Sequence, residues 1–333
     1  MKTPEIKKDL EANNLYKSLE PHELETLIVH AKHSSFPAGT TIIKQGSKSE
    51  GIYIILEGSV IIAGQIVGEG RVNLTSLKQG NIFGGSSIIV NGPHATSVIA
   101  ETEVRCLMIS AKLFEMFSIF YPGMKYKIAK EVAENACNRL IQVSEKIKLA
   151  MSTIDMTTLS IFGEVVRSLT KPSLLTPEEV SLNINDLRHS YPLSLFNGEH
   201  NEILKRSILI KAPNQCPLIE QGDKDSSSYL VLKGAVQSSL VLKHKLAKVS
   251  VLGPLSLFSP ISVIHDQMPA LYNYTTCERA ILLKIEKATL NELQLKHPAI
   301  WYKLFDVICE SFIVLGRFTE KLDIRINSET YNR

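Results

Sequence analysis

The chain has 333 residues, of which 44% are hydrophobic and 21% charged, and its formal net charge is +3. This composition excludes a disordered or fibrous chain and allows two domains, each with its own core. So small a net charge gives no support for nucleic acid or an anionic membrane as partner, and no apolar run reaches bilayer-spanning length. The N-terminus, MKTPEIKKDLEANN, is polar and has no hydrophobic signal-peptide core. A short helix is predicted over Leu19–Ile28, with Pro21 near its start, early acids, and apolar residues at helical spacing. Strand-like runs follow at Thr40–Ile43, Ile52–Leu56 and Ser59–Ile62, with turns expected at Gly46, Gly58, Gly64, Gly80 and Gly92. That punctuation predicts an antiparallel roll. After Pro122, the stripe Ile128, Val132, Ala136, Leu140, Val143 and Ile147 predicts a long helix.

The same order then returns. Residues 43–60, IKQGSKSEGIYIILEGSV, reappear 176 positions later as IEQGDKDSSSYLVLKGAV, with eight of eighteen positions identical. The offset also pairs Pro37 with Pro213, Ile109 with Ile285 and Pro122 with Pro298, and Leu304, Ile308, Phe312 and Leu315 repeat the helical stripe. A solenoid repeat is roughly 20–50 residues long, so this period marks a duplicated domain. The expected division is residues 1–150 for the first copy, 151–192 for a helical, proline-punctuated connector, and 193–333 for the second copy. Cys106, Cys137, Cys216, Cys277 and Cys309 are odd in number and unmatched between the copies. They read as small buried hydrophobes in a reducing, cytoplasmic compartment, with no metal site.

Phe36-Pro37-Ala38-Gly39, Ile43-Lys44-Gln45-Gly46 and Tyr53-Ile54-Ile55-Leu56-Glu57-Gly58-Ser59-Val60 resemble the strands of the cyclic-nucleotide-binding domain family, which includes catabolite activator proteins and protein kinase A regulatory subunits. The resemblance implies a mainly β fold with flanking α-helices: two tandem β-rolls of jelly-roll type, each with an N-terminal helix and a long C-terminal helix. In that family a Phe-Gly-Glu leads into a short helix, and an Arg follows some nine residues later. Helix amides and Arg hold the cyclic phosphate, while Glu accepts from the ribose hydroxyl. The matching cassette here gives the candidate ligand-binding residues Phe83, Gly84, Gly85, Ser86, Ser87, His94, Ala95 and Thr96. Gly85 stands in the place of Glu and His94 in the place of Arg. A hydrogen bond to a charged group is worth about 1.5–3 kcal/mol, so losing two or three removes roughly three to six powers of ten in affinity.

Two readings of this cassette follow. Either Ser86, Ser87 and the amides around Gly84-Gly85 still hold a nucleotide or anion, or Gly84-Gly85 is a tight corner and His94 a surface residue. Ala95, where guanine-selective members carry Thr, favours a cAMP-like over a cGMP-like ligand. On sequence alone, Gly85→Glu with His94→Arg is expected to return cyclic AMP binding. The second cassette, Phe258 to Leu271, contains Pro260 and Asp266 and has no Lys or Arg, so it is expected not to bind a cyclic phosphate.

Other classes are weaker. A helix-turn-helix starting at Thr176–Val180 or Asn185–Leu187 would run its recognition helix through Tyr191-Pro192, with no basic cluster near by. The chain has no G-x-S-x-G, H-E-x-x-H, Walker or G-x-G-x-x-G motif, so no enzyme and no cofactor are expected. His22, His30 and His33 are placed on the N-terminal helix as solvated or capping residues. Lys205-Arg206-Ser207 resembles part of a kinase pseudosubstrate but falls on a predicted helix, and roughly 35 residues before the first roll are expected to leave no docking domain. The expectation is a non-enzymatic regulatory protein, either a divergent nucleotide or anion sensor through the first copy or a ligand-free interaction scaffold. Protein partners or self-association are expected at the long helices after Pro122 and Pro298.

Overall fold

A computed structural model describes residues 3–11, 13–66, 70–153, 170–175, 191–196, 200–266 and 268–331. By its contacts the chain divides into two compact units, Met1–Ala136 and Cys137–Arg333. The division falls inside a long helix rather than at residue 150. Most of the expected connector, including Leu159–Leu169, Thr176–Val180 and Asn185–Leu187, lies outside the described residues.

The first unit opens with helices α1 (Thr3–Leu10), α2 (Asn14–Ser18) and α3 (Pro21–His30). Pro21 opens α3, where its missing N–H costs nothing, and the Glu23 carboxylate accepts from the Glu20 backbone N–H at 2.8 Å. Eight strands follow: β1 (Lys32–Phe36), β2 (Thr41–Ile43), β3 (Gly51–Glu57), β4 (Ser59–Ile66), β5 (Gly70–Lys78), β6 (Ile82–Phe83), β7 (Ser97–Ala100) and β8 (Val104–Ser110). They form two four-stranded antiparallel sheets, ordered β1-β8-β3-β6 and β2-β7-β4-β5. A short helix, α4 (Gly85–Ile89), sits between β6 and β7, and α5 (Ala111–Phe120) and α6 (Pro122–Thr153) follow β8.

Strand β3 is buried on both faces, and its period of two divides the core. Ile52, Ile54 and Leu56 pack with Leu107, Ile109 and the helical residues Leu27, Phe117, Ile128 and Val132. Tyr53 and Ile55 point the other way, into the roll, with Ile43, Val60, Phe83 and Val98. One strand thus fastens the roll to the helices that carry Val132.

The second unit repeats this plan with β10 (Ile208–Ala212), β11 (Pro217–Ile219), β12 (Ser228–Lys233), β13 (Val236–Leu242), β14 (Lys245–Leu252), β15 (Leu257–Phe258), β16 (Asn273–Thr276) and β17 (Ala280–Ile285). Its sheets are ordered β15-β12-β17-β10 and β11-β16-β13-β14, strand for strand the order of the first unit, and a two-residue β9 (Ser173–Leu174) adds to the β10 edge. Helix α7 (His200–Lys205) precedes the roll, and α8 (Lys287–Lys296) and α9 (Pro298–Tyr331) follow it. The C-terminal half of α6 belongs to this unit. Ser144 Oγ lies 2.6 Å from the Tyr272 hydroxyl, Arg139 pairs with Glu320 on α9 at 2.8 Å, and Lys245 Nζ donates to the Met151 carbonyl.

Three expectations change in detail. Gly64 is not a turn: it lies within β4, paired with Val72, and Leu74 covers its open face. His33 is on β1 rather than on the preceding helix. Cys277 is exposed, while the other four cysteines are buried. Arg206 is engaged by Glu202 and Glu292, and Ser207 Oγ donates to the Ile203 carbonyl. The Lys205-Arg206-Ser207 segment is therefore held at the end of α7 rather than presented on a free arm.

Candidate functional site

The first cassette starts where β6 ends. Phe83 stacks on Tyr53, ring centroids 4.9 Å apart and planes 2° from parallel, which fixes the chain at the rim of the roll. Gly84 then turns it in a left-handed conformation, φ +81, and opens α4. A side chain there would meet the Gly51 carbonyl at 2.7 Å and the Tyr53 ring at 3.2 Å, so only glycine fits.

Gly85 is required for a different reason. Its φ is ordinary, but a Cβ would stand 2.6 Å from Val132 Cγ2 and 2.9 Å from Cγ1. Helix α6 therefore crosses directly over the position that carries the ribose-binding Glu in the family. Ser87 is buried and its Oγ donates to the Pro93 carbonyl at 3.4 Å. Ser86 is half-buried and its carbonyl accepts from Val90 N–H. His94 is 7% exposed, so it is not a surface residue. Its N–H donates to the Ser47 carbonyl at 3.0 Å, and its carbonyl accepts from Gly46 N–H at 2.8 Å. Ala95 is exposed and Thr96 half-buried. The structure gathers the candidate residues on one loop, but residues 83–98 bring no Lys or Arg to it.

The second cassette keeps two backbone bonds of the first with different side chains. Gly222 N–H donates to the Ala270 carbonyl and Ala270 N–H to the Asp223 carbonyl, both at 2.8 Å, so Ala270 holds the place of His94. Gln221 N–H donates to Asn273 as Gln45 N–H does to Ser97. Gln221, Gly222 and Ala270 were already marked by the repeat and the second cassette, whereas Asp223 and Asn273 were not. The signal was present in the 176-residue offset, which maps 46, 47 and 94 onto 222, 223 and 270. Pro260 caps a three-residue 3-10 turn, Ile261–Val263, in place of α4. Ser259 and Ser262 are spent on Ser228 and Ser226, and Asp266 faces Lys287 at 3.6 Å. Residues 258–271 contain no Lys or Arg to meet a cyclic phosphate.

The family profile of the cyclic nucleotide-binding domain matches residues 33–118 and 209–297, together more than half of the chain. The chain belongs to this family, as two tandem copies. It is 31% identical over 106 residues to the cAMP-dependent protein kinase regulatory subunit of Candida albicans, covering 32% of this chain and 22% of that one. It is 33% identical over 120 residues to the CRP-like cAMP-activated global transcriptional regulator of Mycobacterium tuberculosis, covering 36% of this chain and 53% of that one. The chain thus spans between about a fifth and a half of these relatives' length. Among solved structures, the regulatory domain of Toxoplasma gondii PKA with cAMP aligns over 91% of this chain and 94% of that one, at 15% identity and a TM-score of 0.33.

Proposed function

We propose that this chain is a non-catalytic, cytoplasmic regulatory protein whose first cassette is closed to cyclic nucleotides and which acts through surfaces that contact protein partners. The observation that carries this is the seat of Val132 against Gly85. The ribose acceptor is missing and the helix fills its place, which favours the scaffold over the sensor. A non-catalytic role is supported by the cysteines. Burial pushes the Cys106 thiol up to about 12 and raises Cys216, the reverse of what an attacking thiolate needs.

The stripes of α6 and α9 are largely consumed within their own units, where Ile128, Leu140, Ile147, Leu304, Ile308 and Phe312 are buried. Leu149 on α6 and Phe318 on α9 stay exposed, and further apolar groups are left outside on the shorter helices that precede them. Ile119 on α5 is 72% exposed and Leu295 on α8 is 80% exposed, one repeat apart. Phe120 adds to the first patch. An apolar residue exposed at the same place in both copies is a better docking element than either buried stripe.

The test is a thermal-shift panel of cyclic mono- and dinucleotides on the whole protein. A ligand at about a hundred times its Kd adds roughly 2.7 kcal/mol of stability. A flat panel at millimolar concentration is expected. A cyclic nucleotide that stabilises the protein, with the effect removed by changes in residues 83–98, would return the first copy to the sensors.

A further inference from the structure

We infer that the open edge of β1 in the first unit binds a partner protein by strand addition, taking an acidic extended segment as an extra antiparallel strand. This site rests on the scaffold reading only for the nature of its partner, a protein, and involves no residue of the cassette. The second copy shows the mode of binding. There β9 lies along β10, with Ser173 opposite Lys211 and Leu174 opposite Ile210, and Leu175 N–H donates to the Leu209 carbonyl at 3.1 Å. Thr170 Oγ donates to the Gln215 carbonyl at 3.1 Å and secures the segment.

The two copies hold this strand in the same register. Lys32 to Phe36 face Met108 to Val104 as Ile208 to Ala212 face Lys284 to Ala280, each residue displaced by the 176 positions of the repeat. In an antiparallel ladder a residue turns its N–H and its carbonyl to the same side, and the next residue turns both to the other. Leu209 and Lys211 therefore serve β9, and His33 and Ser35 hold their places in the first copy. Among the described residues no strand lies beyond β1, and His33 and Ser35 make no backbone bond toward that side. Lys32, His33 and Ser35 are exposed. Two N–H donors and two carbonyl acceptors thus stand open along an edge that the other copy fills, and main-chain bonds of this kind supply the affinity in strand addition.

Charge on the edge selects the partner. Strand β1 reads Lys-His-Ser-Ser-Phe where β10 reads Ile-Leu-Ile-Lys-Ala. Lysine on a short edge strand keeps apolar strands from pairing there, so a segment as apolar as Ser173-Leu174-Leu175 is a poor fit. Residues 26–49 contain Lys32, Lys44 and Lys48 and no Asp or Glu. Asp9 and Glu57 reach this sheet, but both are held by Arg105, the ladder partner of Ser35. Burial, foremost, holds His33 below its ordinary range, so the charge of β1 at neutral pH is that of Lys32. A carboxylate on an added strand beside Lys32 gains an opposite charge, and a second lysine there would be repelled.

The probes are a short peptide alternating Thr and Glu, the same peptide with Lys for every Glu, and the Thr–Glu peptide N-methylated at its central amides, each titrated against the full chain by fluorescence anisotropy. The Thr–Glu peptide is expected to saturate below millimolar concentration and to bind at least tenfold more tightly than the Thr–Lys peptide, and the N-methylated peptide is expected not to bind. Lys32→Glu, at an exposed position, should leave the fold intact and reverse the preference. In hydrogen exchange read by NMR, the amides of His33 and Ser35 should slow at least tenfold on binding, while that of Ser34, which faces the ladder with β8, should not change. The proposal is overturned if the acidic and basic peptides bind equally, if the N-methylated peptide still binds, if exchange at His33 and Ser35 is unaltered, or if the Thr–Glu peptide gives no saturable signal at millimolar concentration. A dimer of the chain alone with those two amides protected would give the edge to a second copy and overturn it as well. Each of these results leaves the thermal-shift test of the cassette to stand by itself.

Discussion

The contact between Gly85 and Val132 can be measured without any ligand. Gly85→Ala adds one methyl group, placed 2.6 Å and 2.9 Å from the two Val132 methyls. Neither can retreat freely, since Val132 is buried in the cluster that joins α6 to Ile52, Ile54 and Phe117. Overpacking of this kind costs about 1–3 kcal/mol. Replacing glycine within a helix returns at most ~1 kcal/mol, and less at the first residue of the short α4. A net loss of about 1–2 kcal/mol is expected for Gly85→Ala. Val132→Ala alone should cost about 2 kcal/mol, from two lost methyls and the space they leave. In that background the nearest remaining atom is the Cβ at 3.3 Å, and Gly85→Ala should become close to neutral. The double-mutant cycle, read by urea unfolding of the full chain, should therefore show about 1–2 kcal/mol of coupling. A Gly85→Ala cost below about 0.5 kcal/mol, or one unchanged by Val132→Ala, would refute the close approach of α6 to the cassette.

Other outcomes follow from the same structure. Residues 137–333 should unfold as one cooperative transition, whereas 193–333, which lacks Ser144 and the buried Met151, should be markedly less stable; equal midpoints in urea would contradict this. Ser144→Ala removes the 2.6 Å contact with the buried Tyr272 hydroxyl and should cost about 1–2 kcal/mol, because among the described residues Thr319 alone then remains as its partner. Glu131 has its pKa raised, first by burial and then by Glu134. A carboxyl that is harder to ionise in the folded state loses stability as pH rises from the ordinary 4.5 through its raised value, and the loss is then constant. Glu131→Gln should therefore match the native protein at low pH and exceed it at neutral pH, and a stability difference independent of pH would count against this.

The rolls were legible because their signal is local and doubled. Gly46, Gly58 and Gly80 all have positive φ, and β3 lies within one residue of the apolar run at 52–56. Gly64 misled because a glycine in a strand looks like a turn until its pairing partner is known. The helix stripe was half legible. Ile128, Val132, Leu140 and Ile147 are buried as their spacing implies, but Met124, Ser144 and Met151 share that burial and were missed. Ser144 could not be read as a core residue, since its reason is a hydroxyl of a residue 128 positions away. The same limit applies to Gly85. Sequence shows that Glu is absent, and only the path of α6 shows what stands in its place.

The central claim is that α6, and not only two missing side chains, closes the first cassette. The most direct measurement is calorimetric titration of cyclic AMP into the native chain and into the Gly85→Glu/His94→Arg variant, with folding checked by circular dichroism. Restoring both side chains should suffice if only chemistry was lost. With Val132 pressed on residue 85, neither protein should bind at millimolar cyclic AMP, and binding should require Val132→Ala in addition. Saturable sub-millimolar binding by the native chain, or by the folded double variant with Val132 still in place, would contradict the account.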